Sequence, residues 1–185
     1  MKIYLMRHGE TVWNKERRLQ GQSDIPLNEY GRKLAEETAE ALLGVTFDRA
    51  FCSPLARAYE TARILVGGRR IPLVADGRLK EIHFGSHEGI CFDQAKRDPG
   101  DPLHNFFMAP ASYVPPEGAE SFGQVLDRGW AFFREEILPL EGICDNVLVV
   151  AHGAFNRSLL NSILQIPVEE SRRISLPNCA VSILS

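Results

Sequence analysis

The stretch Met1-Lys2-Ile3-Tyr4-Leu5-Met6-Arg7-His8-Gly9-Glu10-Thr11 carries both the first element of the fold and its first chemical group. Met1 to Arg7 is a short apolar run of β-compatible residues and reads as a strand. It delivers Arg7, His8 and a flexible Gly9 at its C-terminal end, and in open α/β sheets ligands bind at that end of the strands. A histidine placed there beside a guanidinium can be a nucleophile facing a phosphate-sized anion. The tripeptide alone is more often an ordinary strand end. Its weight comes from matching pieces at the ends of other strands.

Working outward, strands and helices alternate. A polar loop runs to about Pro26, and a helix is expected from Asn28, as N-cap, to Leu43, stopped by Gly44. Leu34, Ala35, Thr38, Ala41 and Leu42 share one face of it. Asp48 to Cys52 reads as a second strand. Ser53-Pro54 then opens a helix, with Ser53 as N-cap and Pro54 in its first position, closed by Gly67-Gly68. Ile71 to Ala75 is a candidate third strand. Residues 88–120, broken by Pro99, Pro102, Pro110, Pro115 and Pro116, read as an irregular lid with one short helix. Ser121 caps a helix reaching Leu138. Asn146 to Ala151 is a near-continuous apolar run, as in a central parallel strand buried on both faces. Gly153 to Leu164 is helical, and Asn178 to Leu184 forms a last strand. The expected fold is α/β: three layers, α/β/α, with a mostly parallel central sheet, helices on both faces and a small lid insertion, all in a single domain over 1–185.

Bulk properties narrow the function. The 185 residues are 44% hydrophobic and 24% charged, ordinary for a soluble globular protein, and the formal net charge of -3 points to neither a nucleic-acid nor a membrane partner. Any cationic site is therefore a local cluster. Cys52, Cys91, Cys144 and Cys179 are widely spaced and form no CxxC pair, which fits reduced thiols in a cytoplasmic protein. The N-terminal residues lack the charged region and long apolar run of a signal peptide, and no stretch approaches the ~20 apolar residues of a membrane span.

The strand exits carry the chemistry. The first gives Arg7-His8-Gly9, the second Ser53-Pro54-Leu55-Ala56-Arg57, and the buried strand ending at Val150 gives Ala151-His152-Gly153. Parallel strands put all three exits on one edge of the sheet. Two arginines and two histidines then converge there, joined by helix N-termini with their free N–H groups and positive dipole ends. This describes a pocket for a dianion with a histidine inside it. Taken singly, Arg57 is a solvated charge, His152 a core histidine and Glu81 a solvent-facing loop residue; jointly, their order and placement favour a site. His83, His87 and His104 lack metal-ligand spacing and read as lid or surface residues, so no metal and no cofactor are expected.

In these stretches the sequence resembles the histidine phosphatase superfamily, the phosphoglycerate-mutase-like fold. The resemblance rests on Arg7-His8-Gly9-Glu10-Thr11 with Asn14, on Arg18 to Leu27, on Ser53 to Ala58 with Thr61-Ala62, on Leu79 to Gly85 with Glu88-Gly89, and on Val149 to Gly153. They run in family order across almost the whole chain. The resemblance implies that His8 is the nucleophile that becomes phosphohistidine. It implies that Arg7, Arg57 and His152, with Gly153, form the phosphate clamp, that Asn14, Gln20 and Gly21 add contacts, and that Glu81 is the acid–base residue. His87 departs from the pattern, which often has an aromatic before Glu88-Gly89.

That chemistry is sound on physical grounds. A neutral imidazole is not repelled by a dianionic ester, provided its other nitrogen donates to a fixed acceptor that sets the tautomer. Guanidinium forks match phosphate geometry, and one preorganised donor is worth on the order of 3 kcal/mol to the transition state. A carboxyl group can protonate the leaving alkoxide and then activate water. The expected activity is a phosphomonoesterase acting on a small-molecule phosphate ester. A cofactor-dependent phosphoglycerate mutase is the first alternative; it needs an extensive closed cap, whereas the 70 positions between Glu81 and His152 hold one compact lid. A non-catalytic phosphate-sensing module is the second. Lid residues such as Phe92, His104, Phe106, Phe107 and Tyr113 could touch a leaving group, and the sequence does not say which of them point inward.

Overall fold

The computed structural model describes residues 1–185, with the side chain of Arg172 outside the description. Five strands form one sheet: β1 (Lys2–Arg7), β2 (Arg49–Cys52), β3 (Leu73–Ala75), β4 (Asn146–Ala151) and β5 (Val181–Leu184), in the order β3-β2-β4-β1-β5. The first four run parallel, and β5 lies antiparallel to β1 at the edge. The last strand is shorter than expected; residues 178–180 turn into the site instead, as described below.

Seven α-helices accompany the strands: α1 (Val12–Lys15), α2 (Glu29–Ala41), α3 (Ala56–Val66), α4 (Phe92–Arg97), α5 (His104–Met108), α6 (Phe122–Phe132) and α7 (Gly153–Ile163). The alternation of β4 shows why both faces of the sheet need cover. Val147, Val149 and Ala151 point into one core with Val125, Phe132, Phe155 and Leu159 of α6 and α7. Leu148 and Val150 point into the other, with Ala35 of α2 and Ala58, Ala62 and Leu65 of α3. A strand with no polar face can sit only in the middle of such a sandwich. The fold is thus the mixed α/β arrangement expected, with helices on both faces.

Several boundaries differ, each for a local reason. The Asn28 side chain caps α2 through Gly31 N at 2.7 Å, but the helix ends at Ala41 and is capped at Leu42, before Gly44. Ser53 caps no helix: its Oγ accepts Leu55 N at 3.3 Å, and α3 starts at Ala56, so Pro54 lies in the connecting bend. Part of the loop before Pro26 is helical, because Thr11 and Asn14 form a capping box that starts α1. The lid, preceded by a 3₁₀ turn at Gly85–His87, holds two short helices, α4 and α5, and a second 3₁₀ turn at Pro110–Ser112. Ser121 and Gln124 cap α6, which passes into a π turn (Phe133–Ile137) and a 3₁₀ turn (Leu138–Leu140). The lid is anchored by packing: Ala95, Leu103, Phe106 and Phe107 join the same core as α6 and α7.

Cys52, Cys91, Cys144 and Cys179 are all free thiols. Among the described residues no helix is long and apolar enough to cross a membrane.

Candidate active site

Strand register alone brings the two histidines together. Arg7 of β1 pairs with Ala151 of β4, and the His8 backbone N–H donates to Ala151 O at 3.0 Å. His8 and His152 therefore leave adjacent strands side by side, with ring centroids 5.1 Å apart. β2 lies on the other side of β4 and sends out Ser53, whose N–H bonds Val150 O, and then α3 with Arg57 in its first turn. One cavity of about 210 Å³ is lined by Arg7, His8, Asn14, Gln20, Gly21, Arg57, Glu81 and Gly153. Of the catalytic and phosphate-binding residues expected from sequence, His152 alone is not on its wall; it stands behind, fully buried against His8.

The His8 loop is held from several sides. Nδ1 of His8 lies 2.6 Å from the carbonyl oxygen of Gly9, an acceptor only, so the Nδ1–H form is favoured and Nε2 keeps its lone pair. Gly9 N–H donates to Thr61 Oγ1 at 3.0 Å, and Thr61 in turn donates to Arg57 O. Asn178 Nδ2 donates to both His8 O and Gly9 O at 3.1 Å. Gly9 is required by contact rather than by flexibility: a Cβ there would come 2.6 Å from Gly31 O, where α2 crosses closely.

The cations are buried and only partly answered. Arg57 is fully buried; its Nη atoms donate to Ser23 O at 2.8 Å and Gly21 O at 2.7 Å, while Nε has no partner. Burial pushes its pKa down to about 10, offset in part by Glu81, so it stays charged at neutral pH. Arg7 donates from Nη1 to Leu176 O at 2.7 Å and leaves Nε unpartnered. Both ring nitrogens of His152 also lack partners. Unpartnered buried polar atoms on the cavity wall and just behind it are costly, and an oxyanion is what would satisfy the guanidinium donors. Gln20 Oε1 accepts the Thr11 hydroxyl at 2.9 Å and Asn14 Oδ1 accepts Thr11 N–H at 3.1 Å, so each amide has its Nδ2 or Nε2 available for an anion.

Glu81 faces the same cavity from the loop after β3. Its Oε1 accepts Ile82 N–H at 3.0 Å and Phe155 N–H at 2.9 Å, and its Oε2 accepts Ala154 N–H at 3.0 Å. It thus sits on the N-terminus of α7, directly after His152 and Gly153. Arg128 of α6 steadies this loop. It donates to the carbonyls of Arg78 and Lys80 at 2.6 Å and of Glu81 at 3.1 Å, and pairs with Glu120 at 2.9 Å. Glu120 also accepts His83 N–H, so it supports the site from behind without lining it.

Four further residues were given no role from sequence. Glu88 accepts N–H groups of Gln22 and Ser23 at 2.9 and 2.7 Å and so shapes the loop carrying Gln20 and Gly21. Gly21, at φ +50°, leaves the space that Glu88 fills; a Cβ would lie 2.0 Å from its oxygen. Arg157 lines the cavity one helical turn after Gly153, a spacing that could have revealed it. Arg128 and Asn178 act through backbone carbonyls distant in sequence, for which no local signal exists. Of the lid residues, Phe92, Phe106 and Phe107 line the cavity, joined by Phe84, Lys96 and Arg18, whereas His104 and Tyr113 do not. His83 and His104 bond backbone carbonyls of Gly118 and Ala95 and, like His87, stand away from the cavity wall.

Burial, then Arg57 and its neighbours, holds both His8 and His152 well below the usual histidine pKa. The folded protein therefore keeps them neutral at pH values where the unfolded chain protonates them. Below about 6.5 the unfolded state binds more protons, so stability must fall as pH falls, by up to about 1.4 kcal/mol per pH unit for each histidine. Urea unfolding between pH 7.5 and 5 is expected to show this slope, and His152→Ala to reduce it. An unchanged slope in the variant would show that His152 titrates normally in the folded protein.

A sequence profile described as the histidine phosphatase superfamily (branch 1) matches residues 3–185. The chain is 33% identical over 184 residues to a probable 2-carboxy-D-arabinitol-1-phosphatase of Arabidopsis thaliana, covering 99% of this chain but only 37% of that protein, about a third of its length. It is 31% identical over 180 residues to 2,3-bisphosphoglycerate-dependent phosphoglycerate mutase 2 of Gloeobacter violaceus, covering 96% and 82% of the two chains. Among solved structures, YhfR of Bacillus stearothermophilus superposes with a TM-score of 0.91 at 35% identity, covering 100% of this chain and 90% of that one.

Proposed function

The chain belongs to the histidine phosphatase superfamily, branch 1, and from that premise we propose that it is a phosphomonoesterase working through a phosphohistidine on His8. The observation that carries the reading is the state of His8: a buried, neutral imidazole whose Nδ1 is tied to Gly9 O, set among unpartnered donors of Arg7, Arg57 and His152. Nε2 attacks phosphorus while the ester P–O bond breaks. The positive charge that develops on the ring is met by the Gly9 carbonyl, and charge on the equatorial oxygens by the guanidinium groups and His152. Glu81 gives its proton to the departing alkoxide. As a carboxylate it then takes a proton from water, which attacks phosphorus, breaks the P–N bond and returns His8 to its neutral form. The products are the free alcohol and inorganic phosphate, formed in the cytoplasm, a compartment that the four free thiols support.

Similarity to the Gloeobacter mutase favours a second reading, phosphoryl return to the substrate rather than to water. The cover over this site consists of two short helices and turns, less enclosure than exclusion of water calls for. A panel of phosphorylated metabolites that includes 3-phosphoglycerate with 2,3-bisphosphoglycerate separates the two. Released phosphate supports the hydrolase; interconversion of phosphoglycerates without release overturns it.

Activity is expected to survive EDTA and to be blocked by vanadate. Among the described residues no three His, Cys, Asp or Glu side chains gather to hold a metal ion, and the positive charge lining the cavity comes from four arginines, Arg7, Arg18, Arg57 and Arg157, with Lys96. A pentacoordinate oxyanion suits such a pocket. Loss of turnover on chelation, restored by a divalent cation, would contradict this assignment.

A further inference from the structure

A second cavity of about 200 Å³ lies beside the phosphate pocket, walled by α6, α7 and the 3₁₀ turn Val168–Arg173. Its walls include Phe122, Leu126, Ile166 and Val168 and are mainly apolar. Phe106, Ala154 and Arg157 line both cavities, so the two are adjacent and share a wall. The junction is chemically placed: Ala154 is the residue whose N–H holds Glu81 Oε2 at 3.0 Å. The second cavity therefore comes up beside the place where the leaving oxygen must lie if Glu81 protonates it. From there Ala154, Arg157, Ser158 and Asn161 form one stripe of α7, at i, i+3, i+4 and i+7, which carries the wall about 10 Å farther.

At the far end is an unanswered polar atom. Asn161 is 6% exposed; its Nδ2 donates to Ser171 O at 3.3 Å, and its Oδ1 is buried with no hydrogen bond. A buried carbonyl oxygen left unpaired beside an apolar cavity calls for a donor. An empty apolar cavity of about 150 Å³ can hold a benzene ring, so this one has room for a ring or a short alkyl chain. A three-carbon leaving group, with bonds of about 1.5 Å, reaches only about 4–5 Å and stops short of Asn161.

We infer that this cavity is the leaving-group subsite, and that the substrates are phosphate esters of elongated, mainly apolar alcohols with a hydroxyl or amide N–H about 10 Å from the ester oxygen. This rests on the phosphatase reading above and names its substrate class. The ester oxygen lies at Glu81, the apolar body passes Ala154 beneath Phe106, and the distal donor meets Asn161 Oδ1.

The test compares ethyl, hexyl and 6-hydroxyhexyl phosphate as substrates, and measures binding of the corresponding phosphonates by calorimetry in wild-type protein. In wild type, kcat/KM is expected to rise about tenfold or more from ethyl to hexyl, since each buried methylene favours binding, and again with the terminal hydroxyl. Leu126→Trp, which fills the cavity, should cut the hexyl-to-ethyl ratio about tenfold. Asn161→Leu should remove the advantage of the hydroxyl without removing that of the chain. Turnover of all three esters at equal kcat/KM, or equal proportional losses for short and long esters in Leu126→Trp, would overturn the subsite while leaving the phosphatase reading intact. Absence of any turnover would overturn the phosphatase reading; the phosphonate series would then decide the cavity alone, with equal affinities refuting it.

Discussion

His8→Ala is expected to lower kcat/KM by about 10⁴-fold or more, the scale on which loss of a covalent nucleophile registers, in a protein that still folds. The size follows from the division of labour in the site. Arg7, Arg57 and His152 can bind and polarise a phosphate without His8, but water would then have to attack a dianion directly. Folding should survive, because the loop is fixed by its backbone: Thr61 holds Gly9 N–H and Asn178 holds the carbonyls of both His8 and Gly9. Below about pH 6.5 the alanine also removes the cost of keeping a buried imidazole unprotonated. The measurement is kcat/KM on an aryl phosphate, with near-UV circular dichroism as the check of fold and acid-labile phosphoprotein as the check of chemistry. Activity within tenfold of wild type in a folded variant would refute the nucleophile. Wild-type protein that never carries acid-labile phosphate, even when quenched during turnover, would refute the covalent route.

What the sequence made legible and what it hid follow a physical line. The strand exits could be read because an apolar strand followed by His-Gly or by Ser-Pro is a local pattern, and parallel strands force local patterns onto one edge. Glu81 was visible only through its motif; its geometry depends on α7, 73 positions later, which supplies Ala154 N–H. Asn178 was hidden. It lies in a turn before β5, next to Cys179 at φ +59°, and its partners His8 and Gly9 are about 170 positions away. A contact of that separation leaves no periodicity to find. The lid failed in another way: its prolines predicted irregular backbone, yet Ala95, Leu103, Phe106 and Phe107 bury enough surface against the core to fix α4 and α5. Tertiary packing overrode weak local propensity there. The apolar cavity was invisible for the same reason, since its walls come from α6, α7 and a turn far apart in the chain.

Glu81→Gln should hurt alkyl phosphates far more than aryl phosphates. An alkoxide needs a proton as the P–O bond breaks, whereas a nitrophenolate needs little help. General acid catalysis is worth typically about 10²–10⁴-fold, so the two substrate types are expected to separate by about 10²-fold or more. The local geometry adds a complication that the comparison removes. Glu81 accepts N–H groups on both oxygens, two on Oε1 and one on Oε2. Glutamine has one acceptor oxygen, so its amide nitrogen would face a backbone donor, at a cost of about 1–3 kcal/mol in stability or position. Any such displacement weakens both substrates alike, and the ratio of ratios cancels it. The quantity to measure is kcat/KM for p-nitrophenyl phosphate and for ethyl phosphate in both proteins, because kcat/KM reports only steps up to the first irreversible one. If dephosphorylation limits kcat, the aryl substrate should also show a burst and the variant should accumulate phosphohistidine. Equal proportional losses would mean that Glu81 does not give the proton. Glu10 is tied to Asn28 and Glu120 to Arg128, and neither lines the cavity. Glu81 is the one carboxylate among the residues lining it, so the proton would then have to come from solvent, and the rate with alkyl esters should follow buffer acidity instead.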